Sequence, residues 1–183
     1  MSGHAREPRR QPRAGIRTAR LARALGEELA EPLGMDVRHL DLADLPNPLE
    51  PGAATALHPA LPALMASRVA IVASPTYKGS YTGLLKAFLD LLAPDALRGV
   101  VAVPVHTLGS AAHTLAADMH LRPLLIELGA STPTRAVTVL EAELASPPAA
   151  AATWARRLLP VLSVRPVLPV LPVRSKPAPV GAT

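Results

Sequence analysis

The chain has 183 residues, of which 49% are hydrophobic but only 2% aromatic, enough for one α/β domain whose core must be built from Leu, Val, Ile and Ala. It contains no cysteine, which excludes disulfides, thiolate zinc sites and cysteine nucleophiles and agrees with a cytoplasmic location. The net charge of +5 is concentrated in Arg6, Arg9, Arg10, Arg13, Arg17, Arg20 and Arg23, and with no aromatics interleaved this does not make a stacking platform for nucleic acid.

Residues 1–12 are nearly free of apolar side chains, and Pro8 could not donate to a central ladder, so a basic disordered arm is expected there. The stretch Arg13-Ala14-Gly15-Ile16-Arg17-Thr18 leads into a helix marked by Leu21, Leu25 and Leu29, with Thr18 as its N-cap and an end near Pro32 and Gly34. A basic, Gly-containing loop at a helix N-terminus suits a phosphate, although the same residues also suit the start of a surface helix. Met35 to Leu42 alternates weakly and predicts a strand. A loop with Pro46, Pro48, Pro51 and Gly52 follows, then a short helix from about Thr55 to Ser67, interrupted by Pro59 and Pro62.

Val69 to Ala73 is an unbroken apolar run of strand length, as expected for a strand buried on both faces of a parallel sheet. It stops at Ser74-Pro75-Thr76-Tyr77-Lys78-Gly79-Ser80, a polar loop at a strand's carboxyl end. A helix carrying Leu84, Leu85, Phe88, Leu91 and Leu92 on one face comes next. Gly99 to Val105 is a second buried-type strand, with Pro104 placed near its carboxyl end, and His106 to His113 follows as a loop. Leu115, Leu121, Leu124, Leu125 and Leu128 mark a helix that Pro123 should bend or widen. Thr132 to Leu140 predicts the last strand and Ala149 to Leu159 the last helix, with a domain spanning 13–159. From Pro160 to residue 183 the Val/Pro repeat favours an extended tail. Prolines and charges interrupt every candidate for the roughly 18 apolar residues that a membrane span requires, so no membrane partner is expected.

This order of strands and helices, with polar loops after strands, gives an α/β fold with a parallel sheet in a three-layer sandwich. The chain carries no Walker lysine loop, no GxSxG elbow and no HExxH, so the pattern permits a nucleotide or flavin site without naming a reaction.

The run Ser74-Pro75-Thr76-Tyr77-Lys78-Gly79-Ser80-Tyr81-Thr82-Gly83-Leu84-Leu85-Lys86, continuing to Phe88-Leu89-Asp90, resembles the flavin-contacting loop and helix of the NADPH-dependent FMN reductases. The likeness is to the type that supplies reduced flavin to two-component monooxygenases, including those of alkanesulfonate utilisation. The resemblance implies a flavodoxin-like fold, FMN as cofactor or substrate, NADPH or NADH as hydride donor, a homodimer or homotetramer, and a flavin-dependent monooxygenase as partner. It implies that Arg13, Arg17 and Thr18 hold the FMN phosphate. Pro75, Thr76, Tyr77, Lys78 and Ser80 would line the flavin, and Thr107, Gly109 and Ser110 would close its other side. No protein side chain is expected to act as a catalytic acid or base.

The chain departs from the family pattern at Gln11 and Ile16, where serines are expected, and at Leu108, where a glycine is expected and where Leu would be strained if φ were positive. The first strand of the flavodoxin-like order is missing or degenerate. A catalytically impaired flavodoxin-like interaction or flavin-binding protein is therefore the second reading.

Overall fold

The computed structural model describes residues 14–163 apart from 51, 53, 54, 56 and 58. The basic arm, Arg13 and the Pro-rich segment from residue 164 onward lie outside the described residues. Helix α1 (Ala14–Leu33) buries Leu21, Leu25 and Leu29, the stripe set by their four-residue spacing. It starts earlier than expected, so Thr18 lies inside the helix and is not its N-cap. Its end is a Schellman turn: Gly34 adopts φ +61°, Gly34 N–H donates to Glu31 O and Met35 N–H to Ala30 O.

The strand expected at Met35 to Leu42 does not form. In the flavodoxin-like order 2-1-3-4-5 the second strand pairs only with the first, and no first strand is present among the described residues, so this segment has no ladder to join. Its last residue instead enters a 3₁₀ turn, Leu42–Asp44, capped by the Asp41 carboxylate, which accepts from Ala43 N–H at 3.0 Å. The helix expected over 55–67 includes α2 (Leu61–Met65), with Pro62 in the first turn where its missing N–H costs nothing.

Among the described residues the sheet has three parallel strands in the order β1 (Val69–Pro75), β2 (Val101–Leu108) and β3 (Val137–Leu140). Helix α3 (Gly83–Leu89) links β1 to β2, and α4 (Arg122–Glu127) precedes β3. Helix α5 (Pro147–Leu162) closes the fold, running through Pro160 and past the expected end at Leu159. Alternation along the strands divides the core into two layers. Ala70, Val72 and Ala102 pack with Leu85, Phe88, Leu121 and Leu125 of α3, α4 and their flanks. On the other face Val103, Val105, Val137 and Val139 pack with Leu21 and Leu25 of α1 and Leu158 of α5.

Pro104 lies in the middle of β2, because the strand runs on through His106, Thr107 and Leu108, which the sequence pattern assigns to a loop. Val101 N–H bonds to Arg68 O on the β1 side, whereas Ala102 N–H bonds to Ser131 O, so the even-numbered backbone groups of β2 face β3. Pro104 has no N–H to give on that side. The facing chain yields there: Val101 pairs with Ser131 and Val105 with Val137, so the three residues 102–104 oppose the five residues 132–136. The last strand is accordingly split, not continuous from Thr132.

The Arg122 guanidinium satisfies the displaced segment by donating to Thr132 O and Thr134 O, both at 2.7 Å. Asp118 pairs with Arg122 and accepts from Ala136 N–H at 3.1 Å. Asp118 sits in a π-helical turn, Ala117–Leu121, where Arg122 N–H reaches back to Ala117 O, and the widening expected from Pro123 is found immediately before it.

Native-state hydrogen exchange should separate the two fates of strand-like sequence. Val37 and Leu40 amides should exchange near the free-chain rate, whereas Val103 and Val105 amides should exchange only with sub-global or global opening. Protection of the 35–42 segment equal to that of β2 would contradict this topology.

Candidate functional site

The loops that leave β1 and β2 at their carboxyl ends meet the N-terminal part of α1, the place where open α/β sheets bind ligands. The β1 loop is pinned at its base. Ser74, 1% exposed, accepts from Thr82 N–H at 2.9 Å through its hydroxyl, which in turn donates to Pro75 O at 2.9 Å. Thr82 also caps α3 by accepting from Leu85 N–H at 3.3 Å, so the loop returns to the strand it left.

At the tip, Tyr77 N–H bonds to Ser80 O at 2.8 Å and Ser80 N–H to Tyr77 O at 2.9 Å, around Lys78 at φ +50° and Gly79 at φ +80°. This is the geometry of a type I′ turn, which requires positive φ at both central residues. Gly accepts that freely, whereas Lys is held at a cost of about 1 kcal/mol. The turn holds Tyr77, which is 62% exposed, and Lys78 in solvent at the site's rim.

Thr107 joins the elements. It pairs laterally with Pro75 and Val139, its carbonyl accepts from Thr76 N–H at 2.9 Å, and its hydroxyl lies 2.6 Å from the Thr18 hydroxyl. Both side chains are buried, so this contact ties α1 to the centre of the sheet; removing one hydroxyl alone would cost roughly 1–3 kcal/mol. Arg17, one residue earlier, donates to Glu141 Oε2 at 2.9 Å at the end of β3. Leu108 lies in β2 with no positive φ, so the strain expected there does not arise. Gly109 and Ser110 follow as an exposed edge, where the Ser110 hydroxyl accepts from Ala112 N–H at 3.3 Å.

The structure therefore brings Arg17, Thr18, Pro75, Thr76 and Thr107 to one edge of the sheet. Tyr77, Lys78 and Ser80 stand in the adjoining turn, and Gly109 and Ser110 at the end of β2. Two further residues belong to this edge. By sequence Ser74 is one loop hydroxyl among several, and His106 has no distinguishing feature. In the structure His106 is fully buried, and its Nδ1 lies 3.2 Å from Thr76 Oγ1. Burial, reinforced by the nearby charge of His120, lowers its pKa from 6.5 to about 4. The available signal is parity: an even position on β2 next to Thr107 must face the α3/α4 layer.

The topology defines a flavodoxin-like α/β protein, a fold in which ligands bind at the carboxyl ends of the strands. The sequence profile of the NADPH-dependent FMN reductases matches residues 11–143, and the chain belongs to that family. It is 52% identical over 60 residues to an FMN reductase (NADPH) of Escherichia coli K12, covering 33% of this chain and 31% of that protein. It is 38% identical over 113 residues to an FMN reductase (NADPH) of Pseudomonas aeruginosa, covering 59% and 61% respectively. These alignments thus span less than two thirds of either curated relative. The crystal structure of an apo NADH:FMN oxidoreductase superposes with a TM-score of 0.68 at 32% identity, covering 87% of this chain and 88% of that one.

The buried imidazole predicts a pH dependence of stability. The folded state holds His106 neutral, so between about pH 6.5 and 4 the unfolded chain binds the additional proton; stability is full above the unfolded pKa and falls as pH drops through the folded one. Urea unfolding across this window should show a loss from this residue on the order of 3 kcal/mol, absent from His106→Leu. Equal slopes for the two proteins would contradict a buried neutral His106.

Proposed function

We propose that the chain is an NAD(P)H-dependent FMN reductase that supplies reduced flavin to a partner monooxygenase. The observation that carries this reading is the convergence of Arg17, Thr76 and the Tyr77–Ser80 turn on one sheet edge, in a chain whose family is the FMN reductases. The donor set suits FMN, a ligand rich in acceptors: a guanidinium near a helix start for the phosphate, and hydroxyls for the ring carbonyls.

In this reading Arg17 and the first turn of α1 hold the phosphate, with Arg13 as a second cation by resemblance. The Thr18–Thr107 contact fixes that turn against β2. Pro75, Thr76, Tyr77 and Ser80 line one side of the ring, Gly109 and Ser110 close the other, and Lys78 attracts the phosphates of the nicotinamide nucleotide. Bound FMN would supply the redox chemistry, taking a hydride from the nicotinamide and leaving as reduced flavin. The residues' task is to position and to exclude water, since hydride transfer needs no strong acid from the protein. Relatives bear names with NADPH and with NADH, so the family supports either donor.

Leu115, Met119 and Ile126 are 56%, 65% and 52% exposed beside the π-helical turn, an apolar surface that supports assembly into a homodimer or homotetramer. Among the described residues no helix is long and apolar enough to cross a membrane. A cytoplasmic location belongs to the same proposal, since the reaction draws on the cell's pool of nicotinamide nucleotide.

Titration of the full-length chain with FMN should quench flavin fluorescence saturably, and NADPH or NADH should then be oxidised only when FMN is present. Arg17→Ala, with its fold checked by circular dichroism, should weaken FMN about tenfold, as expected for one charge-assisted hydrogen bond. A folded wild-type chain that neither quenches nor oxidises would overturn this function and favour a non-catalytic flavodoxin-like protein.

A further inference from the structure

His106 is fully buried at an even position of β2, the side that faces the α3/α4 layer, and among the described residues only one of its ring nitrogens has a partner. Nδ1 lies 3.2 Å from Thr76 Oγ1, whereas Nε2 is buried with no hydrogen-bond partner among the described residues. Thr76 stands at the opposite extreme. It is half-exposed where β1 ends, its backbone N–H is committed to Thr107 O at 2.9 Å, and its hydroxyl is the one donor it can offer to a ligand.

We propose that His106 is a positioning residue that makes Thr76 a hydrogen-bond donor toward the site: Nδ1–H donates to Thr76 Oγ1, and the hydroxyl proton is thereby directed at an acceptor atom of the ligand. The ligand is identified as the flavin ring only through the function proposed above, which would supply a ring carbonyl or imine nitrogen as that acceptor.

The tautomer follows from which protons can be satisfied. A buried neutral imidazole carries one N–H and one bare lone pair. Were the proton on Nε2, the chain would bury an N–H donor with no acceptor, and orphaned N–H groups are the rarer and costlier kind. With the proton on Nδ1, the donor is satisfied by Thr76 and the orphan is a lone pair. The threonine hydroxyl has one proton and two lone pairs; once it accepts from His106, its proton has no use toward the core. Burial, with a coulombic contribution from His120 exposed on the π-helical turn, disfavours a second proton on His106.

The polarity of Thr76 is therefore set from below, and the strand register that places His106 opposite Ser74 also brings it within reach of Thr76. A purely space-filling histidine would leave that hydroxyl free to turn either way.

The test uses the ¹⁵N-labelled, ligand-free full chain, whose two-bond imidazole spectrum reports the tautomer. His106 should be neutral and protonated at Nδ1; Thr76→Ser should keep that signature and Thr76→Val should lose it. In FMN titrations His106→Asn, whose amide N–H can replace Nδ1–H, should bind within about threefold of wild type. His106→Leu and Thr76→Val should each bind about tenfold more weakly, as for one lost hydrogen bond.

An Nε2-protonated His106, or a signature indifferent to Thr76→Val, overturns the assignment. Unchanged FMN affinity in folded Thr76→Val or His106→Leu overturns the positioning role. The spectrum needs no ligand, so failure of the wild-type chain to bind FMN counts against the proposed function and leaves the tautomer result standing on its own.

Discussion

The two-residue period of β2 governs both the core and the polar edge of this fold. As the central one of the three parallel strands among the described residues, β2 sends odd-numbered side chains to the α1/α5 layer and even-numbered ones to the α3/α4 layer. At its carboxyl end this places two polar residues on opposite faces. Thr107 turns to Thr18 and fixes α1, whereas His106 turns to Thr76 and supports the β1 loop. A slip of one residue would exchange them, leaving a buried imidazole against α1 and a threonine beneath the loop. Both polar contacts thus specify the register that the apolar residues Val103 and Val105 stabilise.

The same period explains the irregular part of the fold. Pro104 falls on an even position, so its missing N–H is lost on the side of β3, and residues 132–136 leave the ladder opposite it. Their backbone groups would be costly to leave unsatisfied. Arg122 and Asp118 reach them from the π-helical turn, whose extra width coincides with Pro123, a residue that cannot complete an ordinary helical bond. A single ion pair thus satisfies the segment displaced opposite Pro104. Met119 of this turn is exposed.

Much of this is legible in the sequence because it rests on local pattern. The β1 run, the loop from Ser74 to Ser80 and the leucine spacing of α1 and α3 are local signals, and the elements they specify form, although α3 ends at Leu89, before Leu91 and Leu92, and leaves Leu84 exposed. What is not legible depends on partners distant in sequence. Met35 to Leu42 has an alternating pattern but forms no strand, because a strand requires a neighbour and its own is absent among the described residues. Thr132 to Leu140 reads as continuous, and is split by a proline about thirty residues earlier in the chain. Thr18 has the composition of an N-cap, yet it is drawn into the helix, where its hydroxyl meets Thr107. His106 is silent in the sequence because a lone histidine beside a polar loop carries no signal until the register shows which face it occupies.

If the carboxyl ends of β1 and β2, organised by His106 and Thr107, form an FMN site, the ligand must leave its mark on those residues and few others. Amide chemical-shift changes on titrating FMN into the ¹⁵N-labelled full chain would map that mark. Changes should concentrate at Arg17, at residues 76–80 and at residues 107–110, with α2 unaffected. Saturable binding whose shifts fall elsewhere, on α2 or on the outer face of α5, would contradict the site.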